Sequence, residues 1–207
     1  CSLCIKQSQA VFRDINTVWF EHSNDPVVAA EIEPLTTDQM QQYQYHGEPL
    51  GFWAVNSLRW FLRRHHLKDD ESTRQYFKAF ILSAWNVYQQ FSRLVDAKNP
   101  QAVVLFNGMF YPEAAARQVC LERGIRVITH EVGLRPFTAF FTTGEATAYP
   151  MKIDEGFQLT PQMEHKLDEY LDSRFKGNFS MAGIRFWPEM NALDGEILAK
   201  TAQFKKL

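Results

Sequence analysis

Two short polar sets follow apolar runs in the middle of the chain, and their side chains are the ones best suited to chemistry. Asn107-Gly108 comes after the run 102–106, and His130-Glu131 comes after the run 125–129. A carboxamide and backbone N–H groups at the start of a helix can bind an anion or a sugar hydroxyl. A partly buried carboxylate or imidazole can have a pKa near neutrality and act as a general base. The two sets therefore predict a site that binds a polar ligand and removes a proton from it.

Each set also has an ordinary structural interpretation. Asn107-Gly108 can be a plain strand-to-helix turn, because Asn and Gly are common turn residues. Glu131 can cap a neighbouring helix or pair with Arg135, and His130 can be a hydrogen-bonded polar group of the core. Gly133 indicates either a close backbone approach or a positive φ value.

The elements that must position these residues form a strand–helix–strand unit. Ala102–Phe106 is a continuous apolar run, as expected of a parallel strand that is buried on both faces. Pro112 suits the first position of a helix, Glu113 its positive end and Gly124 its last turn. A second strand over 125–129 completes a βαβ unit, whose right-handed crossover makes the strands parallel. Open parallel sheets bind ligands beyond the carboxyl ends of their strands, which is where both polar sets lie.

The first half of the chain is predicted to be helical. Apolar residues recur at three- and four-residue spacing over 74–97, which is the strongest helical pattern. A third strand is expected over 137–142, and a helix is expected from Pro161 to about Phe175. A Rossmann-like sheet needs more strands than these, and the stretch 27–30 is the one most open to interpretation as a further strand.

These elements predict an α/β fold with a Rossmann-like parallel sheet and a largely helical first half. In this prediction 1–98 is a mainly helical segment packed on the sheet. The segment 99–207 carries the βαβ unit and carboxy-terminal helices. The chain opens at Cys1 and closes at Leu207 inside a predicted helix. We therefore expect one structural unit that belongs to a longer protein.

The residues between 100 and 144 also resemble a known family. Their order is hydrophobic strand, Asn-Gly, helix, Gly-Ile, strand, His-Glu-x-Gly. This order is similar to the amino-terminal half of bacterial capsular or surface-polysaccharide glycosyltransferases of the two-Rossmann-domain (GT-B) type. Met109 departs from the family pattern, in which Arg often follows Asn-Gly. The resemblance implies that Glu131 or His130 is the base for hexosyl or related glycosyl transfer. It also implies that Asn107, Gly108, Gly133 and Arg135 are the ligand-binding residues.

The resemblance implies that two domains bind the two substrates of the reaction. This domain would hold the glycan or lipid-linked acceptor. A carboxy-terminal domain that the chain does not include would hold the nucleotide sugar, and groups outside the chain would stabilise the leaving group. We expect the chain to be inactive alone and to need no metal or other cofactor.

Composition narrows the classes of function. The net charge is −2, so the overall charge does not favour nucleic-acid binding. No run of 18 apolar residues predicts a membrane span. Neither a dinucleotide-binding fingerprint nor a Walker A motif is present. Three Cys residues fit a reducing compartment better than a disulfide scaffold. We therefore expect the protein in the cytoplasm, including the inner face of the membrane.

An aromatic and basic stretch supports a second, non-catalytic hypothesis. The predicted helix 51–67 carries Trp60, Arg63 and Arg64. Such a helix can contact an anionic membrane, a lipid-linked pyrophosphate or single-stranded nucleic acid. It can equally be an amphipathic helix with its aromatics in the core. An exposed patch would favour an α/β binding or interaction module for a partner or membrane surface, whereas an open crevice beside Asn107 and Glu131 would favour an enzyme.

Cys1 and Cys4 form half of a zinc signature. A structural zinc site needs four ligands, and the remaining Cys120 lies inside a predicted helix. We therefore expect no metal site within the chain, although residues before Cys1 could complete one.

Overall fold

The computed structural model describes residues 2–133 and 137–175. The chain divides into two compact units, Cys1–Ile128 and Thr129–Leu207. The helices are α1 (Ser2–Val11), α2 (Pro26–Ile32), α3 (Thr37–Gln41), α4 (Leu50–Leu62), α5 (Glu71–Lys98), α6 (Tyr111–Glu122) and α7 (Pro161–Phe175), and the strands are β1 (Ala102–Phe106), β2 (Arg126–Val132) and β3 (Ala139–Thr142). Within the described residues, no helix is both long enough and apolar enough to cross a membrane.

The longest helix, α5, carries the core of the first unit. Its apolar residues recur every three or four positions, and Phe77, Ile81, Ala84 and Trp85 are buried. This stripe packs against α4 and α6, and the shorter helices α2 and α3 cover the rest of it. Asp70 caps the start of the helix by accepting a hydrogen bond from the backbone of Thr73. The prediction of a helix over 74–97 is confirmed, with one extra turn at its start.

Local capping signals fix the two short helices that lie against α5. The Asp25 carboxylate accepts hydrogen bonds from the first N–H groups of α2 and from Trp85 Nε1, the latter at 3.0 Å. Thr36 and Gln39 form a reciprocal capping box at the start of α3. Asp25 therefore both starts α2 and attaches it to the core of α5.

In the described part of the chain, the strands form one three-stranded mixed sheet in the order β1-β2-β3. β1 and β2 are parallel, and α6 lies between them in the chain. β2 and β3 are antiparallel, so that His130 lies opposite Phe141 and Glu131 opposite Phe140. The mixed α/β class is thus confirmed. The prediction of a parallel sheet is not, because only the β1–β2 pair is parallel. The link between β2 and β3 is too short for a crossover helix and permits only an antiparallel return.

The burial of β1 also differs from the prediction. A parallel strand buried on both faces was expected, yet alternate residues of β1 are exposed, including Val104 at 60% and Phe106 at 42%. β1 is the first strand in a sheet of three and packs on α6. An edge strand covered on one side shows this alternation.

Two parts of the first half differ from their interpretation in the sequence. The stretch 27–30, which was open to interpretation as a further strand, lies inside α2, because Asp25-Pro26 provides a cap and a first-turn proline. The first half was predicted to be helical, but α1 ends at Val11 and no helix is present over 12–25. In the second unit, the helix from Pro161 is confirmed. The segment after Phe175 lies outside the described residues.

The close approach of α4 to α3 yields a stability prediction. A Cβ atom on Gly51 would overlap the backbone carbonyl of Met40 and crowd that of Gln41. We expect Gly51→Ala to lower the free energy of unfolding by about 1–3 kcal/mol, since the overlap outweighs the better helix propensity of alanine. Chemical denaturation measures this. The matched control is Gly156→Ala, where an added Cβ meets nothing within 4 Å. Equal stability of the two variants would contradict the packing described.

Candidate functional site

Asn107 lies at the carboxyl end of β1, as predicted, but its side chain forms hydrogen bonds within the turn. It is only 2% exposed and has a positive φ of 27°. Its Oδ1 atom accepts hydrogen bonds from the backbone N–H groups of Met109 (2.9 Å) and Phe110 (3.4 Å). Gly108 has a φ of 78° and donates its N–H to the carbonyl of Phe106. The ordinary turn interpretation therefore accounts for the conformation of this loop.

The N–H groups around the start of α6 are hydrogen-bonded within the protein. Met109 and Phe110, whose N–H groups are bound by Asn107, precede the helix, and the N–H of its first residue, Tyr111, donates to Ser57 Oγ of α4 at 2.9 Å. A free helix start was the basis for predicting anion binding here. Because protein acceptors already hold these groups, a ligand at this loop would have to displace them. Glu113, predicted to suit the helix dipole, is half-buried, and burial raises the pKa of its carboxyl.

His130 and Glu131 were predicted to follow a strand over 125–129, but β2 runs to Val132, so both residues lie inside the strand and pair with β3. Both belong to the second unit and are half-buried. Adjacent residues of a strand point to opposite faces of the sheet. The His130 ring lies beside Phe141, with the ring centres 6.0 Å apart. One Glu131 carboxylate oxygen accepts the backbone N–H of Val132 at 2.8 Å. The two candidate bases therefore serve different faces and act as alternatives, not as a pair.

A tyrosine of the same unit adds a polar group near Glu131. The Tyr149 hydroxyl donates to the carbonyl of Val132 at 2.6 Å. Burial, and secondly the negative charge of Glu131, raise the pKa of Tyr149. The sequence analysis did not identify Tyr149, which follows β2 by 17 residues and has no spacing motif. Phe140, opposite Glu131 in the ladder, packs on the Tyr149 ring.

The other two predicted ligand residues of this unit have different outcomes. A Cβ atom on Gly133 would overlap the Thr138 side chain, and the Gly133 N–H donates to the Thr138 carbonyl at 2.8 Å. Gly133 thus shows the close backbone approach that was one of its two interpretations, and the approaching group is protein. Arg135 lies outside the described residues. Its predicted ligand contact, like those of Gly108 and Gly133, stays a prediction.

A pair of carboxyl groups in the first unit was missed by the sequence analysis. Glu48, just before α4, shares a hydrogen bond with Glu122, the last residue of α6. The Tyr88 hydroxyl and the Gln118 amide donate to the two oxygens of Glu122 at 2.8 and 3.0 Å. Burial and the neighbouring Glu122 raise the pKa of Glu48 to about 7.

The position of this pair argues against a role at the strand ends. Glu122 ends α6, whereas the Asn107 turn precedes its start, and a helix of 12 residues is roughly 18 Å long. Ligands of open α/β sheets bind at the other end, beyond the carboxyl ends of the strands. Glu48 and Glu122 come together only through the packing of α4 on α6, so no sequence spacing could have revealed them.

The aromatic and basic stretch is exposed at the end of α4. Trp60 is 56% exposed and Phe61 50%, and Arg63 and Arg64 are exposed as well. The Arg63 guanidinium lies 4.3 Å from the centre of the Trp60 ring. Trp53, by contrast, belongs to the core. The interpretation that places the aromatics of this helix in the core therefore holds for Trp53 but not for Phe52, Trp60 and Phe61.

The described residues contain no group of three or more His, Cys, Asp or Glu side chains placed to hold a metal ion. Cys4 is exposed and Cys120 is buried in α6. Cys1 lies outside the described residues.

Substitutions at Asn107 test its assignment to the turn. Both Asn107→Gly and Asn107→Ala remove the two hydrogen bonds to Met109 and Phe110 and should lower the free energy of unfolding by about 1–3 kcal/mol. The alanine variant should lose about 1 kcal/mol more, because only glycine adopts a positive φ without strain. Denaturant melts of both variants measure this. Unchanged stability in both would contradict a structural role for Asn107.

The Glu48 pair predicts a pH dependence of stability. The pKa of Glu48 is about 7 in the folded chain, against an ordinary value of 4.5. Between these two pH values, Glu48 is protonated in the folded chain and ionised in the unfolded one. Protonated Glu48 therefore contributes to stability below pH 4.5, and this contribution is lost as pH rises through about 7. Glu48→Gln mimics the protonated acid, so its stability relative to wild type should increase between pH 5 and pH 8. Glu155→Gln, at an exposed loop glutamate, is the control. Parallel pH profiles for wild type and Glu48→Gln would contradict the raised pKa.

Comparison with known proteins returned no matching family model, no matching curated protein and no matching solved structure. No function is therefore transferred from a relative. The functional argument depends on the chemistry of the residues and on the arrangement of β1, α6 and β2.

Proposed function

We propose that this chain is the acceptor-side, amino-terminal domain of a GT-B-type glycosyltransferase. The enzyme would transfer a hexosyl or related glycosyl group from a nucleotide sugar to a surface-polysaccharide acceptor. The supporting observation is the β1–α6–β2 unit, in which the Asn107-Gly108 turn, the helix, Gly124 and the strand carrying Glu131 occur in the order of the resemblance. In the complete domain, the described strands would belong to a larger Rossmann-like sheet.

Glycosyl transfer requires a base at the acceptor. The acceptor hydroxyl loses its proton to the base, its oxygen bonds to the anomeric carbon, and the nucleotide leaves with the electrons of the broken bond. Glu131 is our first candidate, because its half-buried carboxylate lies at the end of β2 with Tyr149 near it. His130 is the alternative on the opposite face. Asn107 shapes the preceding turn in this proposal.

The remaining parts of the reaction belong to a second domain. That domain would bind the nucleotide sugar and stabilise the leaving group. The acceptor would be a glycan or lipid-linked sugar, and the enzyme would work in the cytoplasm at the inner face of the membrane. No cofactor is part of the proposal, and the chain alone should not turn over a nucleotide sugar.

A second candidate is a non-catalytic binding or interaction module. The exposed Trp60, Arg63 and Arg64 at the end of α4 favour it, as does the burial of Asn107. The two candidates differ in one measurable respect, since only the glycosyltransferase loses turnover when a single polar side chain of β2 is changed.

Two substitutions on β2 test the base assignment in the longer protein that the proposal requires. We expect one of Glu131→Gln and His130→Ala to reduce glycosyl transfer by at least about 100-fold, the range of general acid–base catalysis, while donor affinity is retained. Single-turnover kinetics and nucleotide-sugar binding separate the two quantities. The control is Glu145→Gln, at a glutamate of the same unit that follows β3. Turnover that survives both β2 substitutions would contradict a base at the end of β2.

A further inference from the structure

Helix α4 presents exposed aromatic side chains to solvent, which together are called the ridge. Phe52 in the first turn and Trp60 in the last turn lie about 12 Å apart along the axis, and each is 56% exposed. Phe61 adds to the Trp60 end, because it packs against Tyr76 of α5 and both remain partly exposed. Exposed aromatic side chains grouped in this way favour a binding surface.

Cations follow the ridge directly in sequence. Within 59–68 there are four Arg or Lys side chains and no carboxylate, and since the whole chain carries −2, the remaining residues carry −6. Arg59 is half-buried and donates a hydrogen bond to Gln41 of α3. The cations that accompany the aromatics are therefore Arg63, Arg64 and Lys68.

The nearest carboxylates are mostly engaged with other groups. Asp69 accepts hydrogen bonds from Thr37 and pairs with Arg74 at 3.1 Å. Asp70 is bound to the backbone of Thr73, although its charge also faces Arg64 and Lys68. The patch therefore keeps a positive excess of modest size, so the aromatic side chains must supply much of any binding energy.

Arg63 ends α4 in a left-handed conformation with a φ of 54°. Glycine is the usual residue at such a position, because a side chain there is strained. The strained conformation places the guanidinium over the Trp60 ring. A cation is thus held beside the exposed Trp60 ring at a position where glycine would be more favourable for the fold.

We infer that Phe52, Trp60, Phe61, Arg63, Arg64 and Lys68 form a surface that docks the chain on an anionic lipid bilayer. Apolar rings entering the interface with cations beside them are the features of an interfacial membrane site. The charge distribution orients the chain, because the rest of it is negative and is repelled by the same membrane. This surface is independent of the β2 residues and operates under either candidate function.

Single-stranded nucleic acid is the less favoured occupant. Base stacking requires an open ring face. One face of Trp60 is covered by Arg63, and the Phe61 ring is packed at a tilt against Tyr76 and Phe80. Insertion into a lipid interface requires only exposed apolar area, which these rings retain.

Vesicle co-sedimentation of the 207-residue chain tests the inference. Phosphatidylcholine vesicles are compared with vesicles containing about one-third phosphatidylglycerol, at low and high salt. We expect binding to the anionic vesicles that salt weakens. Trp60→Ser should reduce the partition coefficient about tenfold, and Arg63→Gly about fivefold. The melting temperature of Arg63→Gly should equal or exceed that of wild type, which separates lost binding from lost folding.

Matched controls remove the same residue types from another exposed region, namely Trp19→Ser and Arg13→Gly. Loss of binding in the controls equal to that in the α4 variants would overturn the inference. So would failure to bind anionic vesicles, or equal binding to both vesicle types. Binding to an oligo-dT strand without binding to vesicles would assign the patch to nucleic acid instead. Vesicle binding requires no turnover, so its failure is distinguishable from failure of the glycosyltransferase proposal.

Discussion

The apolar stripe of α5 is the constraint on which the rest of the first unit depends. Phe77 and Ile81 are fully buried, and each such side chain contributes about 1.5–3 kcal/mol when removed from water. Both α4 and α6 pack on this stripe. The Asp25–Trp85 hydrogen bond attaches α2 to α5. Without α5, neither α4 nor α6 would have an apolar surface large enough to hold it.

This packing determines where the polar groups of the first unit lie. At its start, α6 is held by the bond from the Tyr111 N–H to Ser57, and at its end by the Tyr88–Glu122 bond. The Asn107 turn lies next to this held helix start, and the Oδ1 atom of Asn107 is hydrogen-bonded within the turn. The exposed end of α4 arises from the same geometry, since α4 ends at Leu62 and its last turn carries Trp60 beyond the cover of α5.

Local signals were sufficient to predict several elements. The stripe of α5 and the ends of α6, which Pro112 and Gly124 mark, each depend on residues close together in sequence, so they could be predicted without the fold. The helix α2 was harder, because Val27-Val28 has the β-branched composition of a strand and only Asp25-Pro26 decides against it.

Features that depend on distant neighbours were not predictable. The exposure of β1 depends on how many strands surround it, which its own apolar sequence does not encode. The Glu48–Glu122 pair and the position of Tyr149 near Glu131 arise from contacts between separate elements. Of the candidate site, the sequence placed Asn107 correctly at the end of β1, whereas Glu131 was expected after a strand and lies within β2. The sequence could not show that the Oδ1 atom of Asn107 accepts the backbone N–H groups of Met109 and Phe110 just before α6.

The measurement that tests the central claim most directly is a screen of nucleotide sugars with the longer protein to which this domain would belong. Released nucleotide and transfer to surface-polysaccharide acceptors would be followed, with binding of each nucleotide measured in parallel. A glycosyltransferase must bind at least one donor and release its nucleotide, by slow hydrolysis where no acceptor is supplied. Absence of both binding and release across the whole panel would contradict the assignment of this chain to glycosyl transfer.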